Sequence, residues 1–503
     1  MNLLFLNPPR FFDTWPIPLD AARDFCNIPS VAFPLLARLA PEGTNVSFFD
    51  GFNESITRRQ FIELIQRQDI VAMKSINSRG ALGVEIAMRL IRQYNPRAKI
   101  ILGGPHATAY PEPWVERGAD AVFRHEAETE FTKLIETLAG DGDLSRVRGI
   151  TYRDNGSMRN NPDAPFLENL DDSPPPDWSI CNLSLYNANL TPHSRSGKSA
   201  AIEFSRGCTN HCAFCFVPYF WKNRQRRKSA ARVLDEITEL QARGVDEAGI
   251  VDDNFGVYAK RDREIFEELA RRGAPIKFHA FVRADSILRD PELFELAGRG
   301  GLARILVGYE SLTDEGLEYF NKGYPPGFTV AQHPEVYEIT RRAGIFLYAN
   351  FIVNSGQPFT HDLRVFMKAS KISDGFGTTN WEPHLFTDLE RQARDEQMPI
   401  KDSFYNFIHL SHFHRDSVLR RSVHILVAVA SRVWPQRLWR AWRRQGVYLG
   451  ETKGQLRLLV RWLFALRGSR LIDFLICQSS VMTSEEKEKR IVARNLERLT
   501  GRP

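Results

Sequence analysis

This sequence predicts an α/β chain with two successive parallel sheets and a helical tail of different composition. Three observations lead there. Short apolar runs alternate with amphipathic helical patterns in residues 1–150, the same alternation returns in 195–385, and a proline-rich joint, LENLDDSPPPDWS (167–179), lies between the two blocks. Continuous apolar strands separated by helices belong to parallel sheets covered on both faces. Three consecutive prolines are too rigid for an element interior.

In the first block the runs LLFLN (3–7), NVSFFD (45–50), DIVAMKS (69–75), KIILGG (99–104) and DAVFRH (120–125) read as five strands. Helical patterns at 58–67, 82–94 and 127–139 fall between them. Together they predict a doubly wound, Rossmann-like domain over 1–150, with a linker over 151–194. Ligands of such sheets sit just past the C-terminal ends of the strands. That draws attention to Asn7, Asp50, the stretch 75–78 and the stretch 103–108.

In the second block AAIEFS (200–205), EAGIVDD (247–253), KFHAFV (277–282), ARILVGYE (303–310), FLYANFIV (346–353) and TTNWEPH (378–384) read as strands. Helices are expected at 230–243, 260–272, 291–299, 313–321, 334–343 and 361–373. Six such units predict a (β/α)6 partial barrel over 195–390, with its chemistry at the strand C-termini. The remainder, 391–503, is Arg- and Trp-rich, shows no strand pattern and is expected to be helical.

The chain has 503 residues, 43% of them hydrophobic, with 34 Phe and 9 Trp to fill cores. No stretch reaches the roughly 18 apolar residues of a membrane-spanning helix. The N-terminal MNLLFLNPPR lacks the basic region and cleavage site of a signal peptide and reads as a buried first strand, so a cytoplasmic location is expected. Net charge is +6, but residues 415–470 carry 13 Lys and Arg against Asp416 and Glu451. A basic tail of this kind suits an anionic surface. VLRRSVHILVAVASRVW (418–434) and QLRLLVRWLFAL (455–466) fit helices lying on a membrane surface or on the barrel itself. Nucleic acid is a poorer match, because no recognised binding module accompanies the charge.

Of six cysteines, three lie within EFSRGCTNHCAFCF (203–216), at spacings x3 and x2 directly after the first barrel strand; Cys26, Cys181 and Cys477 are scattered. Clustered cysteines in a large chain without a leader are better read as metal ligands than as a disulfide framework. Soft thiolates on one loop can each take a different iron of a cluster. Three ligands leave the fourth iron open to chelate a cofactor's amino and carboxylate groups. Zinc normally needs four protein ligands; His211 is near, but no second CxxC pair exists.

This cysteine pattern, with an aromatic before the last Cys, resembles the signature of the radical S-adenosylmethionine (SAM) superfamily. The resemblance implies a 4Fe-4S cluster on Cys208, Cys212 and Cys215, and SAM contacts from Phe214, Asp252, Asp253 and Arg283. It also implies SAM contacts from Gly308 and Glu310, in VGYES (307–311). The chain departs from the family where VNSGQPFT (353–360) and WEPHLFTD (381–388) stand, positions that commonly line the substrate side.

The front domain resembles the cobalamin-binding domain that precedes many radical SAM barrels, on ILGGPHAT (101–108), SINSRG (75–80) and HEAETEF (125–131). It implies cobalamin contacts from Ser75, Asn77, Gly103, Gly104 and His106. The D-x-H-x-x-G motif that supplies a histidine to cobalt elsewhere is missing, and His-Glu-Ala-Glu stands where relatives carry G-E-G-E. DSFYNFIHL (402–410) and GVYLGETKG (446–454) resemble the tetrapyrrole-processing members of the group. The expected activity is methylation of an unactivated carbon of a small molecule, a tetrapyrrole or a lipid, with a flavodoxin- or ferredoxin-like electron donor. The alternatives are oxidative cyclisation of a tetrapyrrole side chain and a non-catalytic cobalamin or iron–sulfur sensor.

Overall fold

The computed structural model describes residues 1–8, 28–186, 197–322, 328–353, 368–395, 400–401 and 409–410, except 55, 77, 370 and 381–385. The first sheet contains β1 (Asn2–Asn7), β2 (Asn45–Asp50), β3 (Ile70–Lys74), β4 (Lys99–Gly103), β5 (Ala121–Phe123), β6 (Ile150–Asp154) and β7 (Ser157–Asn160). Their spatial order is β2-β1-β3-β4-β5-β6-β7. The first five are parallel, and β6 and β7 join antiparallel. Alternation along β1 sends Leu4 and Leu6 to one core and Leu3 and Phe5 to the other. Helices Arg58–Gln66 and Ser78–Tyr94 cover the first core, while Ala32–Arg38 and Phe131–Ala139 cover the second. Thr57 starts helix Arg58–Gln66 with a reciprocal capping box to Gln60.

The order reverses between β1 and β3, which opens a crevice at their C-terminal ends. The sheet does not stop at residue 150. Asn155 and Gly156, both at positive φ, turn the chain into the β6–β7 hairpin, so residues 150–160 extend the sheet into the stretch expected as linker. Three short 3-10 turns follow in the joint, started by Asn169, Asp177 and Asn182.

The second sheet runs β15-β14-β13-β12-β11-β8, all parallel. Its strands are β8 (Ser199–Ile202), β11 (Glu247–Ile250), β12 (Lys277–Val282), β13 (Leu302–Glu310), β14 (Phe346–Val353) and β15 (Gly375–Asn380). Among the described residues β8 and β15 do not pair with each other, so the barrel is open. Between β8 and β11 sits a small antiparallel ribbon of β9 (Ser205–Arg206) and β10 (Arg226–Arg227).

Two sequence expectations shift. The sixth strand begins at Gly375, three residues ahead of TTNWEPH, because Gly375 and Gly377 give no strand signal. Gly377 is needed there: a Cβ would lie 2.6 Å from the Tyr348 hydroxyl. Beyond residue 391, β16 (Ile400–Lys401) pairs with β17 (His409–Leu410), two strands too short to show a period. The remainder of the basic tail, with the helices expected there, lies outside the described residues.

Candidate functional site: a cysteine loop seated on the N-terminal sheet

The loop that leaves β9 carries Cys208, Cys212 and Cys215, none of them in a disulfide. Gly207 shapes its start. At φ +84 it adopts a left-handed conformation, and a Cβ would stand 2.0 Å from the Arg224 carbonyl oxygen. Its N–H donates to Asp253 Oδ2 at 3.0 Å. Cys208 Sγ accepts from Asn210 Nδ2 at 3.2 Å and Cys212 Sγ accepts from Arg283 Nη1 at 3.1 Å, while the Cys215 N–H donates to the Cys212 carbonyl. Burial pushes the Cys215 thiol up to about 12, and the neighbouring Cys212 and Cys208 push the same way. A thiol in that setting ionises when a cation sits against it. Among the described residues no three His, Cys, Asp or Glu side chains converge on a single ion. A four-iron cluster takes its thiolates one per iron, so the loop fits that group better than a mononuclear zinc.

Facing the loop are β12, β13 and the segment after helix Asp314–Tyr319. Glu310 ends β13 in the left-handed region at φ 61, just past a register shift between Gly308 and Glu310. Its Oε1 lies 3.1 Å from Lys322 Nζ, and its Oε2 is buried with no hydrogen-bond partner. Burial works against the Lys322 charge, but Glu310 and Cys212 hold its pKa above the usual lysine value. Lys322 also stands 5.7 Å from the Phe214 ring centroid, and Phe214 packs edge-on against Phe320. Gly308 leaves room for this pair: a Cβ would fall 2.2 Å from Glu310 Oε1 and 3.1 Å from Lys322 Nζ. A buried carboxylate oxygen without a donor, beside an aromatic ring, suits the ammonium or ribose hydroxyls of a nucleoside cofactor.

On the first sheet the crevice is lined by Ser75, Gly103 and Gly104. Ser75 is fully buried, yet its Oγ has no partner. Gly104, at φ +97, lies so close that a Cβ would be 2.9 Å from the Ser75 carbonyl oxygen. The orphaned Ser75 hydroxyl beside this glycine turn fits a group that carries amides.

The comparisons agree with both halves. Residues 202–362 match the family model of the radical SAM superfamily, and residues 26–135 match that of the B12 binding domain. The chain is a cobalamin-dependent radical SAM enzyme. It is 26% identical over 351 residues to an uncharacterized methyltransferase of Pyrococcus horikoshii, covering 69% of this chain and 74% of that protein. It is 27% identical over 390 residues to the anaerobic magnesium-protoporphyrin IX monomethyl ester cyclase of Cereibacter sphaeroides, covering 73% of this chain and 60% of the relative. In fold it is similar to the solved structure of the cobalamin-dependent SAM radical enzyme OxsB with aqua-cobalamin and SAM bound. That match has a TM-score of 0.64 at 17% identity, over 99% of this chain and 83% of that one.

Within this radical SAM enzyme several sequence-chosen residues take other places. Asp252 is hydrogen-bonded within the protein: its Oδ1 accepts from the Phe204 N–H at 2.7 Å and its Oδ2 from Ser205 Oγ at 2.5 Å, with the side chain buried. It ties β11 to the exit of β8, while its neighbour Asp253, whose residue is partly exposed but whose carboxyl is pushed up to about 6 by burial, pins Gly207. Arg283 pairs with Asp285 at 2.8 Å and donates to Cys212 and the Lys322 carbonyl, so it braces the loop. His106 turns inward, its Nδ1 accepting from the Trp114 indole at 3.2 Å, and it secures helix Pro105–Ala109 against helix Pro111–Glu116. Asn77 lies outside the described residues.

Lys322 belongs to the site although no local signal marks it. The stretch 125–128, singled out in the sequence with HEAETEF, joins the domains: His125 Nδ1 lies 2.7 Å from the Phe220 carbonyl, and Glu126 and Glu128 both engage Arg206, two residues before Cys208.

Proposed function

We propose that this radical SAM enzyme methylates an unactivated carbon of a flat, ring-containing small molecule of the tetrapyrrole kind. What carries the reading is the seating of the cysteine loop directly on the strand ends of the B12-binding domain, which brings two cofactor sites to one interface. When bound, the cluster with SAM supplies hydrogen abstraction, and cobalamin supplies a transferable methyl group. Cys208, Cys212 and Cys215 hold the cluster; Glu310 and Phe214 orient SAM; Ser75, Gly103 and Gly104 seat the corrin. Lys322 sits 3.1 Å from Glu310 in the dry interior and offsets its charge. The electron comes from a flavodoxin- or ferredoxin-like donor.

An aromatic shelf at the barrel mouth supports the flat substrate. Phe216, one residue after Cys215, and Tyr219 meet Phe386, which follows the sixth strand. Tyr219 and Phe386 stack at 4.1 Å, 3° from parallel, and Phe386 stays 45% exposed although its backbone is held at φ 64. A strained turn presenting an open aromatic face next to the chemistry suits a conjugated ring. Similarity to the bacteriochlorophyllide d C-12(1)-methyltransferase of Chlorobaculum tepidum, 28% identical over 303 residues, points the same way.

The test is anaerobic reconstitution with iron, sulfide and cobalamin, then incubation with SAM, a reductant and tetrapyrrole or polyprenoid candidates. A product heavier by one CH2, absent with Cys208→Ala, supports methylation. A new ring bearing an oxo group supports a second reading, the oxidative cyclase, which the similarity to the cyclases of Cereibacter sphaeroides and Rubrivivax gelatinosus favours. If SAM and reductant yield no 5′-deoxyadenosine at all, both enzyme readings fail.

A further inference from the structure

The contact between the two domains is built around one carboxylate. Arg206 and Arg226 are direct partners across the β9–β10 ribbon, so two guanidinium groups leave neighbouring positions and are both buried. Glu126, from the loop that ends the fifth strand of the B12-binding domain, lies between them. Its Oε1 accepts from Arg206 Nη1, and its Oε2 accepts from Arg226 Nη1 at 2.8 Å and from the Leu167 N–H at 3.0 Å. Glu128 Oε1 holds the same Arg206 nitrogen at 2.6 Å, and Glu203 takes its Nε at 2.8 Å. Glu126 and Arg206 side chains are 2% and 5% exposed, so neither charge has water to fall back on.

Position makes this more than a stabilising network. The residue after Arg206 is Gly207, held by its hydrogen bond to Asp253 and packed so closely on the Arg224 carbonyl that no side chain fits, and the next is Cys208. On the other side, the His125 N–H donates to Thr108 Oγ1 at 2.9 Å, and Thr108 belongs to the helix that starts at Gly104. One short run, 125–128, therefore touches the corrin-side glycine turn and the root of the cysteine loop.

We infer that Glu126 is a positioning residue: from the B12-binding domain it sets, through Arg206, the seat of Cys208, and so makes SAM binding at the cluster depend on occupancy of the cobalamin site. The inference rests on the cofactor assignment above. Coupling of this kind is reciprocal and is carried by differential contacts in the two states.

The test uses the full-length enzyme, reconstituted anaerobically with iron and sulfide, with and without hydroxocobalamin. Iron, sulfide and cobalamin contents come first; a wild-type protein that takes up none of them defeats the functional reading itself, separately from this inference. The measured quantity is then the ratio of SAM dissociation constants in the two states, with the electron paramagnetic resonance spectrum of the reduced cluster recorded alongside. The wild-type ratio is expected to be roughly five- to tenfold, with a cluster spectrum that changes on cobalamin addition. Glu126→Gln, which swaps one acceptor for a donor against an arginine, is expected to keep its iron but bring the ratio to within about twofold of unity and abolish the spectral change. Glu268→Gln, which breaks a surface pairing with Arg271 and Arg272, should leave the ratio at the wild-type value. A wild-type ratio near one, or an unchanged ratio in Glu126→Gln, overturns the inference. Should Glu126→Gln fail to fold, Glu128→Gln, which leaves the Arg206–Glu126–Arg226 bridge whole, has to lower the ratio by a smaller factor; no change there also overturns it.

Discussion

Replacing Gly207 with alanine tests whether the cysteine loop is held as rigidly as its geometry implies. Two costs add. An alanine at φ +84 sits in the left-handed region, which costs an L-residue roughly 1–2 kcal/mol. Its Cβ would then meet the Arg224 carbonyl oxygen at 2.0 Å and the Trp221 Cβ at 3.2 Å. Neither is the loose end of a flexible side chain, so the backbone has to move, at about 1–3 kcal/mol by analogy with overpacked cores. The total is about 2–5 kcal/mol, concentrated one residue before Cys208. The assay pairs urea unfolding, followed by tryptophan fluorescence, with iron and sulfide content after anaerobic reconstitution. Gly207→Ala should show a lower midpoint and lose iron. Gly207→Asn separates the two costs, because asparagine tolerates the left-handed backbone but still brings a Cβ. If asparagine rescues fully, the carbonyl contact is not limiting. A Gly207→Ala protein with wild-type iron and a loss under about 1 kcal/mol would refute the account of a rigid loop.

Three further outcomes follow from the same geometry. Glu310→Gln should keep the cluster but weaken SAM binding by roughly tenfold or more in calorimetry, since a charge-assisted acceptor beside Lys322 becomes a neutral amide. Phe386→Ala should weaken the binding of protoporphyrin IX by about tenfold in a fluorescence titration, while the yield of 5′-deoxyadenosine stays at the wild-type level. His333, stacked on Tyr309 at 4.0 Å with both ring nitrogens unpartnered, has its pKa lowered to about 4 by burial. Because that value lies below the unfolded one, the unfolded chain takes up a proton that the folded chain refuses. The contribution is intact above about pH 6.5 and is lost as pH falls toward 4. His333→Phe should therefore gain about 2 kcal/mol on the wild type between pH 7.5 and pH 5, by urea unfolding at both values; an equal difference at the two pH values would contradict the assignment.

Much of this molecule was legible because its signals are local. The strands of both sheets announce themselves as apolar runs, and the cysteine loop is a spacing within eight residues that directly follows a strand. The hairpin at 150–160 had a readable sign too, the Asn155-Gly156 dipeptide, overshadowed by the polar joint beyond it. The start of the sixth strand is hidden because its first and third residues are glycines, and the need for Gly377 shows only in the Tyr348 side chain of the neighbouring strand. Adjacent carboxylates defeat sequence reading for a related reason. Asp252 and Asp253 look equivalent on paper, yet one closes the β8–β11 edge from within and the other pins the turn at Gly207.

What stayed hidden is long-range charge. Lys322 reaches Glu310 from twelve residues away and Cys212 from over a hundred, and Glu126 meets Arg206 across 80 residues. A lone Glu or Lys is ordinarily solvated surface, so nothing in its neighbourhood marks it for burial. Burial becomes tolerable only when the partner is already in place, because an ion stripped of water costs several kcal/mol unless it is paired and hydrogen-bonded. The Glu126–Arg206 pair thus depends on both domains having folded and met, whereas Lys322 and Glu310 find each other within the barrel. The pair between the domains explains why the chemistry of each domain can be read from its own sequence while the alignment between them cannot.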